Sequence, residues 1–337
     1  MKIALITLYD AYNCGSFLQA FAMQQFLEEN GFSVDVLDCN KDPLRWLKRV
    51  AATTPRKLYI KLQRRKSYGL AWKKLKIKKF KNSAFEYDYT IIGSDEIWNV
   101  ENPYFNHWKQ YFGESIQDSK VIAYAPSIGY ANPERILGDS SKCESIRKMN
   151  YLFARDNKTK ALMERITGKS VKKVCDPTIL LLCQWEKYEV AYPLEKDYLL
   201  LYDYGVEDFL EAEVKEYAAK HNLLIVSCAF DCSWADRVVI PTPFQFLYLV
   251  HHATAILGGT FHISVFASIY NKNFCIQSSM QKTKDFLEGS KQGWRLYKSK
   301  GDLASILNKN TDYDTYQYLK EQRNASSSYL LDALNSI

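Results

Sequence analysis

KIALITLYDAYNCGSFLQAFAMQQFLEENGFSVDVLDCN, Lys2 to Asn40, contains three elements in one breath. KIALITL is an almost unbroken apolar run, the pattern of a strand buried on both faces. AYNCGS is a polar turn. FLQAFAMQQFLEEN then has helical composition and length, and Gly31 stands where a left-handed C′ residue closes a helix. FSVDVLDCN reads as the next strand. Strand, helix and strand in this order open a parallel α/β sheet.

The same grammar continues outward. A basic segment, expected to be helical, is followed by strands in YDYTIIGSDEIWN and SKVIAYAPSIG, each with polar residues at its end. CESIRKMNYLFARDNKTKALMERITG reads as a helix, a short strand ending at Arg155 and another helix, and VKKVCDPTILL closes the first half. The pattern restarts at Asp197. DYLLLYDYG and LLIVSCAF are strands around the helix VEDFLEAEVKEYAAKHN, and TPFQFLYLVHHA, TAIL and ISVFASIY give helix, strand and helix. The expected architecture is α/β, with two Rossmann-like domains facing a cleft. Residues 1–184 form the first, carrying the basic helical segment 56–81, and residues 185–337 the second, with a C-terminal tail helix. Ligands of such sheets bind beyond the carboxyl ends of the strands.

Composition narrows the class. A chain of 337 residues, 47% hydrophobic and 25% charged, is that of an ordinary globular protein long enough for two domains. No run of about 18 apolar residues suggests a membrane span, and the first strand is too short and wrongly flanked for a signal peptide. Eight scattered cysteines without a CxxC pair read as reduced thiols of a cytoplasmic protein, not as a zinc site. The net charge of +7 is local: Arg56 to Lys81 hold twelve Lys and Arg and no acid, and +7 minus these twelve leaves −5 for the remainder.

Several polar groups sit just beyond apolar strands. Asn13, Gly15 and Ser16 either open an anion-binding helix start or form an ordinary capped turn. Ser94 and Asp95 end a strand, with Asp95 alternatively a cap for a following helix. Ser127 ends another strand, or merely forms a turn. Arg155 follows NYLFA, and a charge directly after an apolar run needs either a structural carboxylate or an anionic ligand. In LGGTFHISVFASIYNKNF, Leu257 to Phe274, Gly258 and Gly259 let the chain turn from strand to helix and place His262 in the first helical turn. There it is a ligand-edge histidine or a satisfied core histidine. His251 and His252 read as helix-end residues favoured by the dipole, and His107 and His221 lack ligand spacing. No GxSxG, P-loop, GxGxxG or HExxH occurs.

Taken together, these segments resemble the polysaccharide pyruvyl transferase family over nearly the whole chain. YNCGSFLQAF is similar to its Asn-x-Gly-x-x-Leu-Gln-Ala motif through Asn13, Gly15, Leu18, Gln19 and Ala20. IIGSDEIWN matches Gly-Ser-Asp-x-x-Trp-Asn through Gly93, Ser94, Asp95, Trp98 and Asn99. Ser127 and Gly129 of YAPSIG, Arg155 of FARDN, and Asp176, Pro177 and Thr178 of VCDPT follow in order, and the last block includes Pro243, Phe246, Phe261, His262, Phe266 and Asn271. Three positions depart from the pattern. Thr260 stands where relatives often have Arg or Ser, Ile263 where a glycine commonly follows the histidine, and Lys284 is the nearest counterpart of an arginine in a later Asn-Ser-Arg motif.

The resemblance implies a GT-B-like fold and transfer of the pyruvyl group of phosphoenolpyruvate to two hydroxyls of one sugar as a cyclic ketal. That places it in surface or capsular polysaccharide synthesis on a lipid-linked saccharide. On this reading His262 is the general acid, imidazole titrating near neutrality, and Asp95 the general base. Arg155, Lys284, Thr260 and Gly259 hold the donor, and Asn13, Gly15, Ser94 and Ser127 orient the acceptor. No cofactor and no metal are expected. The basic segment Arg56–Lys81 suits an anionic surface at the inner membrane face, with Leu62, Leu70, Trp72 and Leu75 adding shallow burial. No nucleic-acid motif accompanies it. The alternatives are a GT-B-type glycosyltransferase using a nucleotide sugar and a non-catalytic saccharide-binding relative.

Overall fold

The computed structural model describes residues 1–39, 51–81, 86–102, 108–116, 119–206, 208–278, 280–309 and 315–336. Strand β1 (Lys2–Ile6) leads to helix α1 (Cys14–Glu29) and β2 (Ser33–Asp38). Helix α2 (Pro55–Trp72), β3 (Ile77–Lys79), β4 (Tyr89–Ile92) and β5 (Lys120–Tyr124) follow. Then come α3 (Pro133–Leu137), α4 (Ser140–Arg147), β6 (Tyr151–Ala154), α5 (Asn157–Thr167), β7 (Lys172–Lys173) and α6 (Pro177–Leu180). The second half runs β8 (Tyr198–Tyr202), α7 (Asp208–Lys220), β9 (Leu224–Cys228), β10 (Arg237–Val239) and α8 (Pro243–His252). It continues with β11 (Ala255–Gly258), α9 (Phe261–Ile269), β12 (Phe274–Ile276), α10 (Gln281–Gly289), α11 (Asp302–Leu307) and α12 (Thr315–Asn335).

The opening strand–helix–strand is as the sequence reads, and α1 starts three residues earlier, at Cys14. Asn13 caps it: its Oδ1 accepts the Gly15 and Ser16 amides at 2.8 and 3.2 Å. At the other end Gly31, at φ +86°, lets the Phe32 and Gly31 amides return to the Leu27 and Glu28 carbonyls. α1 is apolar around most of its circumference because nearly all of it is buried.

Two parallel sheets result. The first has the order β3-β2-β1-β4-β5-β6-β7 and the second β10-β9-β8-β11-β12. Each reverses direction once, beside its first strand, at β1/β4 and at β8/β11. Both are therefore doubly wound sheets of Rossmann type, each with its own switch point. Ile6, Ile92, Ala123, Trp98, Phe112 and Leu162 belong to the core of the first sheet, and Leu199, Leu201, Val214, Leu257 and Leu303 to that of the second. The eight cysteines form no disulfide.

The chain divides into unit 1 (Met1–Pro43, Trp72–Leu181, Glu321–Ile337) and unit 2 (Leu44–Ala71, Leu182–Lys320). This differs from a single cut after residue 184. Most of α2 belongs to unit 2, where Arg56 Nε meets Asp231 at 2.8 Å and Ser67 Oγ donates to the Ile240 carbonyl at 3.2 Å. The end of α12 belongs to unit 1: Ser326 Oγ accepts the Cys175 amide at 2.8 Å, Arg323 Nε donates to the Leu180 carbonyl at 2.8 Å, and Tyr329 stacks on Phe153. The basic segment is also not helical throughout. The helix ends at Trp72, and Ile77–Lys79 is an edge strand on β2, held by Lys78–Asp35 and Lys79–Asp38 ion pairs. Its lysines hid it, being the charges that natural edge strands carry. β7 (two lysines) and β10 (Arg237 first) escaped the sequence reading for the same reason.

Candidate functional site

In unit 1 the chain leaves β1, β4 and β5 at their carboxyl ends in unusual backbone conformations. Tyr12, Asp95 and Ala125 have φ of +49°, +75° and +54°, and Gly93 one of +121°. Residues held in the left-handed region cluster where a fold over-determines them, commonly at functional edges. Gly93 must be glycine, because a Cβ there would lie 2.0 Å from the Tyr124 carbonyl oxygen. Asp95 is thereby locked to the next strand end through the Ser127 amide, which donates to its carbonyl at 2.9 Å.

A buried polar knot fills this edge. Ser16 Oγ donates to Asp95 Oδ2 at 2.6 Å, and the Glu96 amide to Oδ1 at 2.9 Å. Gln19 gathers Thr7, Ser94 and the Leu8 carbonyl, with Ser94 Oγ donating to Gln19 Oε1 at 2.8 Å. Arg155 Nη1 lies 2.8 Å from Asp176 Oδ2, and Nη2 lies 3.8 Å from Asp95 Oδ1. Burial opposes the Arg155 charge, but Asp176, Asp95 and Asp156 outweigh it and hold the pKa above its ordinary value. Asp176 Oδ1 in turn accepts the Thr178 amide and hydroxyl at 3.1 and 2.8 Å. Ser127 Oγ donates to Asp156 Oδ2 at 2.6 Å.

The expected unit 1 residues, Asn13, Gly15, Ser94, Asp95, Ser127 and Arg155, therefore all lie at this edge. Asn13 occupies the Gly15 and Ser16 amides, so the helix start is the capped turn and those two N–H groups are already used. Among the described residues no helix starts directly after Asp95 for it to cap; its carboxylate joins α1 to Arg155 instead. The charge of Arg155 is matched inside the fold.

In unit 2, Thr260 caps α9, its hydroxyl accepting the Ile263 amide at 3.4 Å. His262 follows on the first turn, 5% exposed, its ring edge-on to Phe261 at 5.2 Å. Neither glycine of this strand-to-helix turn adopts a left-handed φ. They serve close approach. A Cβ on Gly258 would meet Ile263 Cγ2 at 2.3 Å, so Ile263 at that position fills the space above a glycine. A Cβ on Gly259 would meet Asp203 Oδ2 at 2.0 Å. Lys284 lies half-buried in the first turn of α10, whose Phe286 packs on Phe261 at 5.8 Å. α9 is held from behind by rings: Phe266 lies 5.2 Å from Trp185 and 6.0 Å from Phe246.

Asp203 is the residue that sequence reading missed. It directly follows the apolar strand YLLLY, the same signal that selected Asp95, and it sits at the second sheet's switch point beside Gly259. Burial raises its carboxyl from 3.8 to about 6, against the opposing Gly205 and Tyr204 amides. A folded pKa above the unfolded one means that the folded state favours the proton. Its relative stability is full below pH 3.8 and is lost as pH rises through about 6. Asp203→Asn, which retains an acceptor for the Gly205 amide, is thus expected to stabilise the protein by about 1–2 kcal/mol near neutral pH, and by little below about pH 4. Urea-unfolding midpoints at the two pH values measure this.

His251 and His252 end α8, as expected. His251 Nδ1 lies 2.9 Å from Glu189 Oε1, and His252 Nδ1 lies 2.9 Å from the Tyr248 carbonyl. Glu189, His251 and His252 are the one group of three His, Cys, Asp or Glu among the described residues whose ligand atoms all lie within 4.8 Å of one another. His107 lies outside the described residues.

The family model for polysaccharide pyruvyl transferase matches residues 13–276. The chain belongs to the polysaccharide pyruvyl transferase family. Among solved structures it is similar to the UDP-GlcNAc 2-epimerase from Methanocaldococcus jannaschii, with TM-score 0.56 and 12% identity over 98% of this chain and 100% of that one. The Neisseria meningitidis UDP-GlcNAc 2-epimerase gives 0.54 and 12% over 99% of each chain. An alpha-glucosyltransferase in complex with UDP and DNA gives 0.52 and 11% over 98% and 95%. These likenesses show the GT-B-like fold. No curated protein matches the sequence. Within this pyruvyl transferase family member, Trp98, Phe246 and Phe266 are packing residues, while Asp95 and Arg155 follow strands β4 and β6 and His262 lies on the first turn of α9.

Proposed function

We propose that the protein transfers the pyruvyl group of phosphoenolpyruvate to two hydroxyls of one sugar, forming a cyclic ketal and releasing phosphate. The observation that carries this reading is the gathering of the family's polar motif residues at the switch-point edges of two Rossmann-type sheets. In the reaction one sugar hydroxyl adds to C2 of phosphoenolpyruvate while C3 takes a proton. The second hydroxyl then displaces phosphate, which leaves with the second proton. His262 supplies the proton to C3 or to the departing phosphate, and Asp95 receives one from the attacking hydroxyl. Thr260, Gly259 and Lys284 are assigned to the donor. Ser94, Ser127, Asn13 and Gly15 shape the edge for the acceptor, and Arg155 holds Asp95 in place. We take the acceptor to be a lipid-linked saccharide used for surface or capsular polysaccharide at the inner membrane face, with no cofactor.

Asp203 favours one second reading. A carboxylate at a switch point can accept hydroxyls of a nucleotide's ribose, which a glycosyltransferase using a nucleotide sugar would require. Thermal-shift measurements separate the two. Phosphoenolpyruvate at about a hundredfold excess over its dissociation constant is expected to stabilise the protein by about 2.7 kcal/mol. A shift with a nucleotide sugar and none with phosphoenolpyruvate would replace the pyruvyl donor.

A further inference from the structure

Helix α2 (Pro55–Trp72) turns Ile60, Tyr68 and Ala71 inward. On that side Ser67 donates to the Ile240 carbonyl, and the Arg64 guanidinium lies 5.3 Å from the Phe230 ring. The opposite side is not the solvated polar face that this leaves to be expected. Leu58, Tyr59, Leu62 and Leu70 are 41, 62, 44 and 55% exposed, four of the nine large hydrophobic residues that the described chain exposes. At 3.6 residues per turn they fall, with Lys66 and Gly69, within about a third of the helix circumference. Lys61 and Arg65 border that arc on one side and Arg56 on the other, with Lys73 and Lys74 exposed just beyond the helix end. Of the residues named from sequence for shallow burial, Leu62 and Leu70 are on this face. Leu75 is buried, and Trp72 is turned to Tyr12 and the Tyr9 carbonyl.

We infer that this face docks on an anionic bilayer, lying in the interface with the three leucines and Tyr59 below the headgroups and the cations at headgroup level. An apolar arc inside a cationic border is the pattern of an interfacial helix, whose lysine and arginine stems reach outward to lipid phosphates. Lys61, Arg65 and Lys66 on the helix, with Lys73 and Lys74 beyond its end, provide the complementary charge, while Arg56, Lys76, Lys78 and Lys79 are paired with Asp231, Glu28, Asp35 and Asp38. A second copy of this chain fits the face poorly, because pairing would oppose like charges. A nucleic acid fits less well too, because it would set phosphates against aliphatic side chains at the centre of the face. The inference does not depend on the pyruvyl donor, and its test does not use activity.

The test is flotation of the full chain with phosphatidylcholine vesicles, and with vesicles that also contain about one third phosphatidylglycerol. The wild type is expected to float with the anionic vesicles only, less so as salt shortens the Debye length below about 10 Å. Leu58→Gln with Leu62→Gln and Leu70→Gln should keep the melting temperature and weaken binding by about tenfold or more. Lys66→Gln with Lys73→Gln and Lys74→Gln should weaken it at low salt while leaving the melting temperature unchanged. Wild-type protein that ignores anionic vesicles at low salt overturns the inference. So does a leucine variant that binds as tightly as wild type, or duplex DNA that is bound more tightly than the vesicles and equally well by that variant.

Discussion

His262→Ala is expected to leave folding and phosphoenolpyruvate binding almost intact and to lower turnover by about 10²–10⁴-fold, the usual contribution of a positioned general acid. The expectation rests on where the fold puts the ring. Thr260 caps α9 and Phe261 packs on α10, while Phe266 is held between Trp185 and Phe246. The first turn of α9 is thus set independently of the imidazole, and an alanine there costs little helix propensity. Turnover is read as ketal formed on one saccharide acceptor, compared with wild type, beside a melting curve with and without phosphoenolpyruvate. Full activity would remove His262 from the mechanism. A melting temperature lowered as far as by a core substitution would make it a structural histidine.

The second large effect concerns stability. Arg155→Met is expected to destabilise unit 1 by about 3–5 kcal/mol, because it leaves carboxylates buried without their cation. The side chain of Arg155 is 3% exposed and that of Asp176 fully buried, and Asp95 is the further carboxylate within reach. Methionine keeps most of the stem volume, so the loss reports charge more than packing. Pairing Arg155→Met with Asp176→Leu should recover part of the loss, since an apolar pair carries no unpaired charge. Chemical unfolding followed by the fluorescence of buried Trp98, which donates from Nε1 to the Tyr111 carbonyl at 2.6 Å, reports on this unit. A change below about 1 kcal/mol would mean that Asp176 and Asp95 find other compensation.

Much of the fold was legible because its signals are local. KIALITL, YDYTIIG and DYLLLY are buried central strands, and a strand buried on both faces must be apolar throughout. Asn13 and Gly31 marked the ends of α1 because capping is satisfied within a few residues. The edge strands β3, β7 and β10 were not legible, since lysine and arginine on an edge break the apolar pattern. The candidate residues at strand ends were found by one rule, a polar group after an apolar run. The same rule applied to YLLLY would have selected Asp203, which the reading passed over, and nothing in the local sequence showed that its carboxylate would lie against Gly259.

Sequence by itself thus determined the α/β class, the repeated βαβ order and, through six ordered motifs, the polysaccharide pyruvyl transferase family. Only the tertiary structure decided what each residue is for. It assigned Arg155 to Asp176 and Asp95, twenty-one and sixty positions away in the chain by their numbers, and gave Gly258 and Gly259 the role of admitting Ile263 and Asp203. It likewise placed the end of α12 with unit 1 and most of α2 with unit 2. The reason is range. Caps, turns and periodicity act over a few residues and can be read along the chain, whereas buried charge pairing and close packing depend on which strands the winding order makes neighbours.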